Sequence, residues 1–260
     1  MPRDLTITLI QSELHWEDPE ANRKMFSSKI REIAHPTDII ILPEMFTTGF
    51  TMNAEEFAEA IDGPSMQWLH EVSSTAQSVV TGSLIIRDQN QTFNRLIWMQ
   101  PDGAYQHYDK RHLFAMAGEH EEYTAGSERL IVELKGWRIC PLICYDLRFP
   151  VWSRNDEAYD LLIYVANWPE KRTAHWNALL KARAIENQAY VAAVNRVGKD
   201  GGGYNYLGDS CLVDPMGDQI YYKSGVEDLA TTTLSYDTLE SIREKLPFLI
   251  DRDQFQIIKN

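Results

Sequence analysis

The chain has 260 residues, of which 44% are hydrophobic and 24% charged, as in a globular protein with a sizeable core. Its formal net charge of −13 disfavours nucleic acids and anionic membranes as partners, because it repels phosphate groups. No apolar run approaches the roughly 18 residues that a membrane span needs.

Strand and helix patterns alternate along the first half of the chain. The N-terminal residues alternate as a strand does, and we therefore expect no signal peptide. Asp18 and Pro19 supply an N-cap and a proline at the first helical position, followed by a helical face through Phe26, Ile30, Ile33 and Ala34. Further elements are a buried strand at 38–42, a helix near 65–77, and strands at 78–87, 92–99 and 104–108.

The second half repeats this alternation. Strands are predicted at 129–135, 137–144, 160–166, 189–195, 209–213 and 218–223, with a helix at roughly 173–188. Asp237 and Glu240 have the spacing of a capping box for a last short helix, which Pro247 ends. Strand–helix–strand units with this many strands predict a single α/β domain over residues 1–260, with two layers of sheet.

Three cysteines, Cys140, Cys144 and Cys211, are an odd number that argues against a disulfide framework. Reduced thiols in a cytoplasmic protein are the better interpretation. A thiol-redox role for Cys140 and Cys144 is a competing hypothesis, and it predicts activity that reductants alter reversibly. Their spacing lacks the two-residue spacer of a redox motif or zinc knuckle.

Three predicted strands each end in a side chain that can take part in catalysis. These are the carboxylate of Glu44, the ammonium of Lys110 and the thiol of Cys144. Ligands of α/β proteins bind at the edge of the sheet where strands end. Each residue alone has an ordinary explanation, as a solvated charge or a small hydrophobic core residue, so only their combination points to an active site.

Glutamate, lysine and cysteine in this order resemble the nitrilase, or carbon–nitrogen hydrolase, superfamily. The segments that carry the resemblance are Leu42-Pro-Glu44-Met-Phe46, Lys110-Arg-His-Leu-Phe114 and Ile143-Cys144-Tyr-Asp-Leu-Arg148-Phe. Further matches extend it from about residue 4 to 235. The resemblance implies an α/β fold of the four-layer α-β-β-α sandwich type, no cofactor, and a homodimer or higher homo-oligomer. A C-terminal tail, about 236–260, is expected at the oligomer interface.

The resemblance also implies a reaction that the residue types support. Cys144 would attack an amide carbonyl as a thiolate, with Glu44 as general base and the charge of Lys110 favouring the thiolate. Lys110 and the backbone N–H of Tyr145 would stabilise the oxyanion. Protonated Glu44 would release ammonia and then activate water against the thioester. A second active-site glutamate is expected from Glu119, Glu121 or Glu122, and the distance to Gly126 favours Glu119.

Two segments resemble the omega-amidase branch, whose members release ammonia from the distal amide of 2-oxoglutaramate and 2-oxosuccinamate. They are the loop at 46–50 and the cluster at 167–176. The expected partner is therefore a small 2-oxo acid amide, and an acidic protein needs a local arginine to hold its carboxylate. Arg172 is the expected anchor and Arg148 the fallback. The other residues expected at the pocket are Phe46, Trp168, His175 and Trp176.

Other functions stay open at this point. One is an amidase, nitrilase or carbamoylase for another small substrate, which a panel of amides and nitriles would distinguish. Another is an inactive scaffold, which an ammonia-release assay would reveal. His112 and His175 lack metal-ligand spacing, and no metal is expected.

Overall fold

Two seven-stranded sheets form the centre of the molecule in the computed structural model, which describes residues 3–258. The strands are β1 (Leu5–Gln11), β2 (Ile39–Ile41), β3 (Glu59–Ala60), β4 (Val79–Asp88), β5 (Gln91–Met99), β6 (Tyr105–Asp109), β7 (Val132–Leu134), β8 (Trp137–Ile143), β9 (Leu161–Ala166), β10 (Tyr190–Asn195), β11 (Val197–Lys199), β12 (Asn205–Val213), β13 (Gln219–Ser224) and β14 (Asp228–Leu234). The helices are α1 (Pro19–Arg31), α2 (Ala54–Phe57), α3 (Pro64–Ala76), α4 (Glu119–Glu122), α5 (Thr173–Asn187) and α6 (Tyr236–Lys245).

The direction of the strands brings several strand ends to one edge. The first sheet has the order β14-β1-β2-β4-β5-β6 with β3 beside β4, and the second has the order β11-β12-β10-β9-β8-β7 with β13 beside β12. β2 is parallel to β4, and β5 is antiparallel to both β4 and β6. β6 therefore points the same way as β2, and the residues that follow these two strands lie at the same edge.

The sheets pack face to face, with helices outside. One core cluster joins Leu5, Ile7 and Leu9 of the first sheet to β9 and β10 of the second. A second cluster lies between the first sheet and the helices α1 and α3, and α5 lies on β10 and β12. β2 and β9 are buried along their whole length, which explains why both are continuous apolar runs. The layers confirm the predicted α-β-β-α sandwich.

Local details correct three predictions. α1 ends at Arg31, so Ile33 and Ala34 lie beyond the helix that was predicted to contain them. α6 is capped by the side chain of Ser235, which accepts a hydrogen bond from the Thr238 N–H at 3.3 Å, and not by Asp237 with Glu240. β14 was not predicted, because its polar threonines hide the strand pattern. In the structure these threonines form a ladder with the threonines of β1.

The C-terminal segment carries exposed apolar side chains, notably Phe248, Ile250 and Ile258. Residues 259 and 260 of the predicted interface tail lie outside the described residues. No helix within residues 3–258 is long and apolar enough to cross a membrane.

Candidate active site

A cavity of about 380 Å³ opens where β6, β8 and β9 end. Its walls include Lys110, Cys144 and Asn167, which follow these strands at or close to their last residues. Glu44 follows β2 and lies directly behind this wall, in contact with Lys110 and Asn167. The cavity therefore lies at the sheet edge that the sequence indicated.

Two carboxylates and an ammonium form a buried group at this cavity. The Lys110 Nζ donates to Glu44 Oε1 at 2.8 Å and to both carboxylate oxygens of Glu119, at 2.8 and 2.9 Å. The Asn94 Nδ2 donates to Glu44 Oε1 at 2.8 Å and to Glu119 Oε1 at 3.2 Å. We call Glu44, Asn94, Lys110 and Glu119 the carboxylate–lysine cluster. All four are buried, with at most 1% of each side chain exposed for the three charged residues.

The backbone around Glu44 holds its carboxylate in place. The Asn167 N–H donates to Glu44 Oε2 at 2.8 Å, and the Asn167 side chain donates to the Glu44 carbonyl at 2.6 Å. Met45 follows with a positive φ of 42°, and its N–H donates to Ser83 Oγ at 2.8 Å. A left-handed backbone at a non-glycine residue is strained and is common at functional sites.

Lys110 is held by the segment that returns from Glu119. The Gly126 N–H donates to the Lys110 carbonyl at 3.0 Å, and a Cβ on Gly126 would lie 2.1 Å from the Asp109 carbonyl oxygen. Glycine is therefore required at this close approach. The short loop buries Glu119, whereas Glu121 and Glu122 are exposed. The structure thus places Glu119 against Lys110, as the distance to Gly126 indicated.

Lys110 is stabilised as a cation by the two carboxylates of the cluster, whereas the two carboxylates oppose each other's charge. Burial by itself lowers the pKa of Lys110, but the carboxylates of Glu119 and Glu44 overcome this and the net pKa is raised. Burial raises the pKa of Glu119, and the charge of Glu44 adds to this while Lys110 opposes it. Lys110 is therefore a permanent cation, and Glu119 holds a proton more tightly than an exposed glutamate.

Cys144 begins a 3₁₀ turn directly after β8, with a positive φ of 42°. The turn is held by Asp146, whose buried carboxylate accepts hydrogen bonds from the Ile143 N–H at 3.1 Å, the Tyr108 hydroxyl at 2.7 Å and His112 Nδ1 at 2.8 Å. The Cys144 Sγ lies 4.0 Å from the carbonyl oxygen of Asn167. Asp146 therefore fixes the position from which the thiol faces the cavity.

The thiol of Cys144 holds its proton more tightly than an exposed cysteine does. Burial raises its pKa well above the ordinary value, the adjacent Glu44 carboxylate raises it further, and Lys110 opposes both without prevailing. The charge of Lys110 favours the thiolate, as expected, but burial outweighs it, which leaves Glu44 as the group that takes the proton. Burial also raises the pKa of Cys140 and that of Cys211, each to about 12. Both are fully buried away from the cavity.

Two arginines line another part of the cavity, each against an aromatic ring. The Arg148 Cζ lies 4.7 Å from the centre of the Trp168 ring, and the Arg172 Cζ lies 5.2 Å from the centre of the Phe114 ring. We call these four residues the arginine wall. Within residues 3–258 neither guanidinium forms an ion pair with a carboxylate, although Arg148 Nη2 lies 3.2 Å from His175 Nδ1. Positive charge is therefore available to a ligand here.

The remaining predicted residues divide between the cavity and the layers behind it. Tyr145 lines the cavity, with its ring edge-on to Phe114. Phe46 does not; it is fully buried against Phe26 and Trp68 in the core. Trp176 and His175 do not line it either: Trp176 lies behind Trp168, and His175 contacts Arg148.

Four of the residues that sequence reasoning missed hold the charged groups of the site or stand beside them. Phe50 takes the wall position expected for Phe46, with the Lys110 Nζ 5.0 Å from its ring centre. Asn94 and Asn167 hold the carboxylates, and Phe114 supports Arg172. Asn94 stands next to Arg95, before the apolar run of β5 begins at Leu96, so local sequence did not mark it as a buried side chain that needs partners.

Within the described residues, no group of three or more His, Cys, Asp or Glu side chains could hold a metal ion. His112 stacks on Phe149, with ring centres 3.7 Å apart, and bonds to Asp146. The reactive groups at the cavity are a thiol, an adjacent carboxylate and a fixed cation. Such a set suits nucleophilic attack on a carbonyl carbon.

Comparisons with known proteins agree with this geometry. The family model described as carbon-nitrogen hydrolase matches residues 6–244. The chain is 48% identical to the omega-amidase YafV of Yersinia enterocolitica, over 98% of this chain and 99% of that protein. It is 33% identical to a 2-oxoglutaramate amidase of Bacillus subtilis, over 95% and 96% of the two chains. A solved structure from Xanthomonas campestris, XC1258, described as a CN-hydrolase superfamily protein with an arsenic adduct in the active site, superposes with a TM-score of 0.96. It is 45% identical and covers 98% of this chain and 99% of its own.

Proposed function

The chain belongs to the carbon–nitrogen hydrolase family, and on that premise we propose that it is an omega-amidase. It hydrolyses the distal amide of 2-oxoglutaramate or 2-oxosuccinamate to the 2-oxo acid and ammonia. One observation carries the proposal: a single cavity combines a thiol beside the carboxylate–lysine cluster with two arginines that have no carboxylate partner within residues 3–258. The first part suits amide hydrolysis, and the second suits a substrate that carries its own carboxylate.

Acylation begins with the thiol of Cys144. Glu44 takes the thiol proton while the sulfur forms a bond to the amide carbon, so that no free thiolate has to accumulate in the buried site. The raised pKa of Cys144 supports this concerted step. The carbonyl π electrons move to oxygen and create an oxyanion, which Lys110 and the backbone N–H of Tyr145 stabilise. Glu44 then gives its proton to the nitrogen, the carbon–nitrogen bond breaks, and ammonia leaves.

Deacylation uses the same groups in reverse. Glu44 removes a proton from water, and the resulting hydroxide attacks the thioester carbon. When the tetrahedral intermediate collapses, the carbon–sulfur bond breaks and Glu44 returns the proton to the Cys144 sulfur. Glu119 and Asn94 do not react in this scheme. They hold Lys110 and Glu44 through the hydrogen bonds of the cluster, which keeps the charges in place through both steps.

Substrate selection is the role of the arginine wall. A carboxylate paired with a guanidinium gains charge-assisted hydrogen bonds, and Arg172 has no competing hydrogen bond from its guanidinium within the described residues. The same positive charge disfavours an α-ammonium group, which glutamine and asparagine carry where the 2-oxo acids carry a ketone. The wall therefore favours oxo-acid amides over amino-acid amides.

Release of ammonia from 2-oxoglutaramate, compared with glutamine and asparagine, tests the proposal. We expect kcat/KM to be highest for 2-oxoglutaramate. Hydrolysis of glutamine or of a neutral amide with higher efficiency, or no hydrolysis of 2-oxoglutaramate, would contradict it.

The proposal extends to location and assembly. A thiol nucleophile acts only while it is reduced, so we place the protein in the cytoplasm. We also propose a homodimer or larger homo-oligomer that buries the segment from residue 236 onward, because exposed apolar side chains gather there. Light scattering on the full chain and on a variant shortened after residue 246 tests this, since only the full chain should assemble.

A further inference from the structure

Phe114 contacts three separate parts of the site. Its backbone N–H donates to Glu119 Oε2, its ring lies edge-on to Tyr145 with centres 5.0 Å apart, and its ring supports the guanidinium of Arg172. From these contacts we infer that the Phe114 ring determines specificity, by holding Arg172 toward the carboxylate of the substrate. This inference rests on the proposed function, and it makes one aromatic member of the arginine wall a positioning residue with an effect of its own on specificity.

The ring is itself fixed. Phe114 lies in the loop between Lys110 and Glu119, and that loop is closed by hydrogen bonds from the Glu119 and Ala117 N–H groups to the Phe114 carbonyl. Tyr145 packs against the ring at an interplanar angle of 62°. The loop and Tyr145 together hold the ring that Arg172 contacts, so the ring is a stable support.

Arg172 depends on this ring more than Arg148 depends on Trp168. The backbone of Arg172 is fixed, because its carbonyl accepts a hydrogen bond from Trp168 Nε1 at 2.8 Å. Its guanidinium forms no hydrogen bond or ion pair with another residue in the described part of the chain, so the Phe114 ring is its orienting contact. Arg148 has a second contact in His175. An arginine side chain loses much rotamer freedom when it binds a ligand, and an aromatic support removes part of that freedom in advance.

The two functions of Phe114 can be separated because they use different atoms. The hydrogen bond to Glu119 comes from the main chain and remains after any substitution except proline. The support of Arg172 comes from the ring and is lost in Phe114→Leu. The substitution should therefore impair recognition of a carboxylate and leave the chemistry at Cys144 in place.

Kinetics on two substrates of equal chain length test this. The charged substrate is 2-oxoglutaramate and the neutral one is valeramide, which lacks the carboxylate and the ketone. Phe114→Leu should raise KM for 2-oxoglutaramate by about 3- to 30-fold, the range of a cation–π contact from exposed to desolvated settings. Both kcat values and the KM for valeramide should change little. Phe114→Tyr keeps the ring face and should keep the wild-type ratio of the two kcat/KM values.

A double-mutant cycle identifies the residue through which Phe114 acts. In an Arg172→Ala background, Phe114→Leu should have no further effect on the KM for 2-oxoglutaramate. Phe149→Leu is the matched control, because Phe149 also lies edge-on to Tyr145, at 5.1 Å, whereas the guanidinium groups of Arg148 and Arg172 lie over other rings. Phe149→Leu should change both substrates by the same factor. If Phe114→Leu does not fold, Phe114→Met replaces it as a variant of similar bulk without a ring.

Three results would overturn the inference. They are an equal loss on both substrates in Phe114→Leu, a loss in Phe114→Tyr as large as in Phe114→Leu, and an undiminished effect of Phe114→Leu in the Arg172→Ala background. Failure of the proposed function would look different, because the wild-type protein itself would then show no preference for 2-oxoglutaramate over valeramide.

Discussion

The carboxylate–lysine cluster and the arginine wall share one cavity but treat charge in opposite ways. In the cluster, each carboxylate oxygen of Glu44 and Glu119 accepts a hydrogen bond, and Lys110 donates to both residues. In the wall, Arg148 and Arg172 lie on aromatic rings with no carboxylate partner among the described residues. Charged groups that stabilise a transition state are more effective when the protein already holds them in position. A charged group that binds a ligand must instead remain free of protein partners until the ligand arrives.

This difference predicts how each region responds to mutation. A change in the cluster should impair every amide alike, because the carbonyl chemistry does not depend on the rest of the substrate. A change in the wall should impair substrates that carry a carboxylate and leave neutral amides nearly unaffected. The ratio of kcat/KM for 2-oxoglutaramate and valeramide therefore reports which of the two regions a residue serves.

The largest effect is expected at Cys144. Cys144→Ala removes the nucleophile and should lower kcat on both substrates by about four orders of magnitude or more, with the fold intact by circular dichroism. Cys140→Ala and Cys211→Ala are matched controls, since both residues are fully buried, and each should retain most of the activity. Mass spectrometry after rapid quenching should find the acyl group on Cys144, and an adduct on Cys140 would refute the assignment.

Glu44→Gln should rank second. Glutamine has the same shape but cannot accept the thiol proton, so acylation and deacylation should both slow, by about a hundredfold to ten-thousandfold in kcat. The loss should be equal on the charged and the neutral amide. Glu121→Gln is the control, because Glu121 is an exposed acid in the neighbouring loop, and it should have wild-type rates. A fall in kcat on 2-oxoglutaramate alone would mean that Glu44 recognises the substrate and is not the general base.

Lys110→Arg tests whether the cluster needs a compact ammonium or only a positive charge. The Lys110 Nζ makes three short hydrogen bonds to two carboxylates in a buried space, and the planar guanidinium cannot reproduce that geometry. We expect kcat to fall about a hundredfold on both substrates. Lys181→Arg, at an exposed position of α5, serves as the control. Near-normal rates in Lys110→Arg would mean that Lys110 makes no specific contact with the oxyanion.

Sequence analysis located the buried strands because their apolar runs are continuous, as in β2 and β9. It missed β14, which is held by threonine pairs and not by an apolar face. Sequence analysis did place Glu44, Lys110 and Cys144 correctly at the ends of strands. At a strand end, the position of a residue along the chain nearly determines its position at the edge of the sheet.

The walls of the cavity were harder to predict for a physical reason. Whether an aromatic side chain faces the cavity or the core depends on the turn that follows a strand. Met45 adopts a left-handed conformation, and Phe46 turns into the core while Phe50 reaches the cavity. Local sequence does not specify the backbone conformation of this turn, and so it does not specify which phenylalanine faces the cavity. The degree to which burial raises the pKa of Cys144 likewise depends on the assembled sheets and not on local sequence.

Arg172→Ala should show the opposite selectivity to the cluster variants. Loss of a hydrogen bond to a charged group typically costs about 1.5–3 kcal/mol, which corresponds to roughly a tenfold to hundredfold lower kcat/KM for 2-oxoglutaramate. This loss should come from a higher KM for 2-oxoglutaramate, and the kcat/KM for valeramide should change far less. Lys171→Ala is the control, because Lys171 carries the neighbouring charge but does not line the cavity. This substitution should have little effect on KM for either amide. Equal losses on both amides would make Arg172 a structural residue.

The smallest effect is expected for Arg148→Ala, because Arg148 is partly engaged already. Its guanidinium lies on the Trp168 ring and reaches His175 Nδ1 at 3.2 Å, whereas the guanidinium of Arg172 lies on the Phe114 ring and has no polar partner in the described part of the chain. An ion pair between a partly exposed arginine and the substrate carboxylate typically contributes up to about 1 kcal/mol to binding. Its loss corresponds to roughly a twofold to fivefold higher KM for 2-oxoglutaramate. His175→Ala should free Arg148 and change that KM by no more than Arg148→Ala does. If Arg148→Ala instead exceeded Arg172→Ala on the charged substrate, the two arginines would exchange roles. The anchor would then be the arginine that has a second partner, and an unpaired guanidinium would no longer mark the residue that binds the substrate.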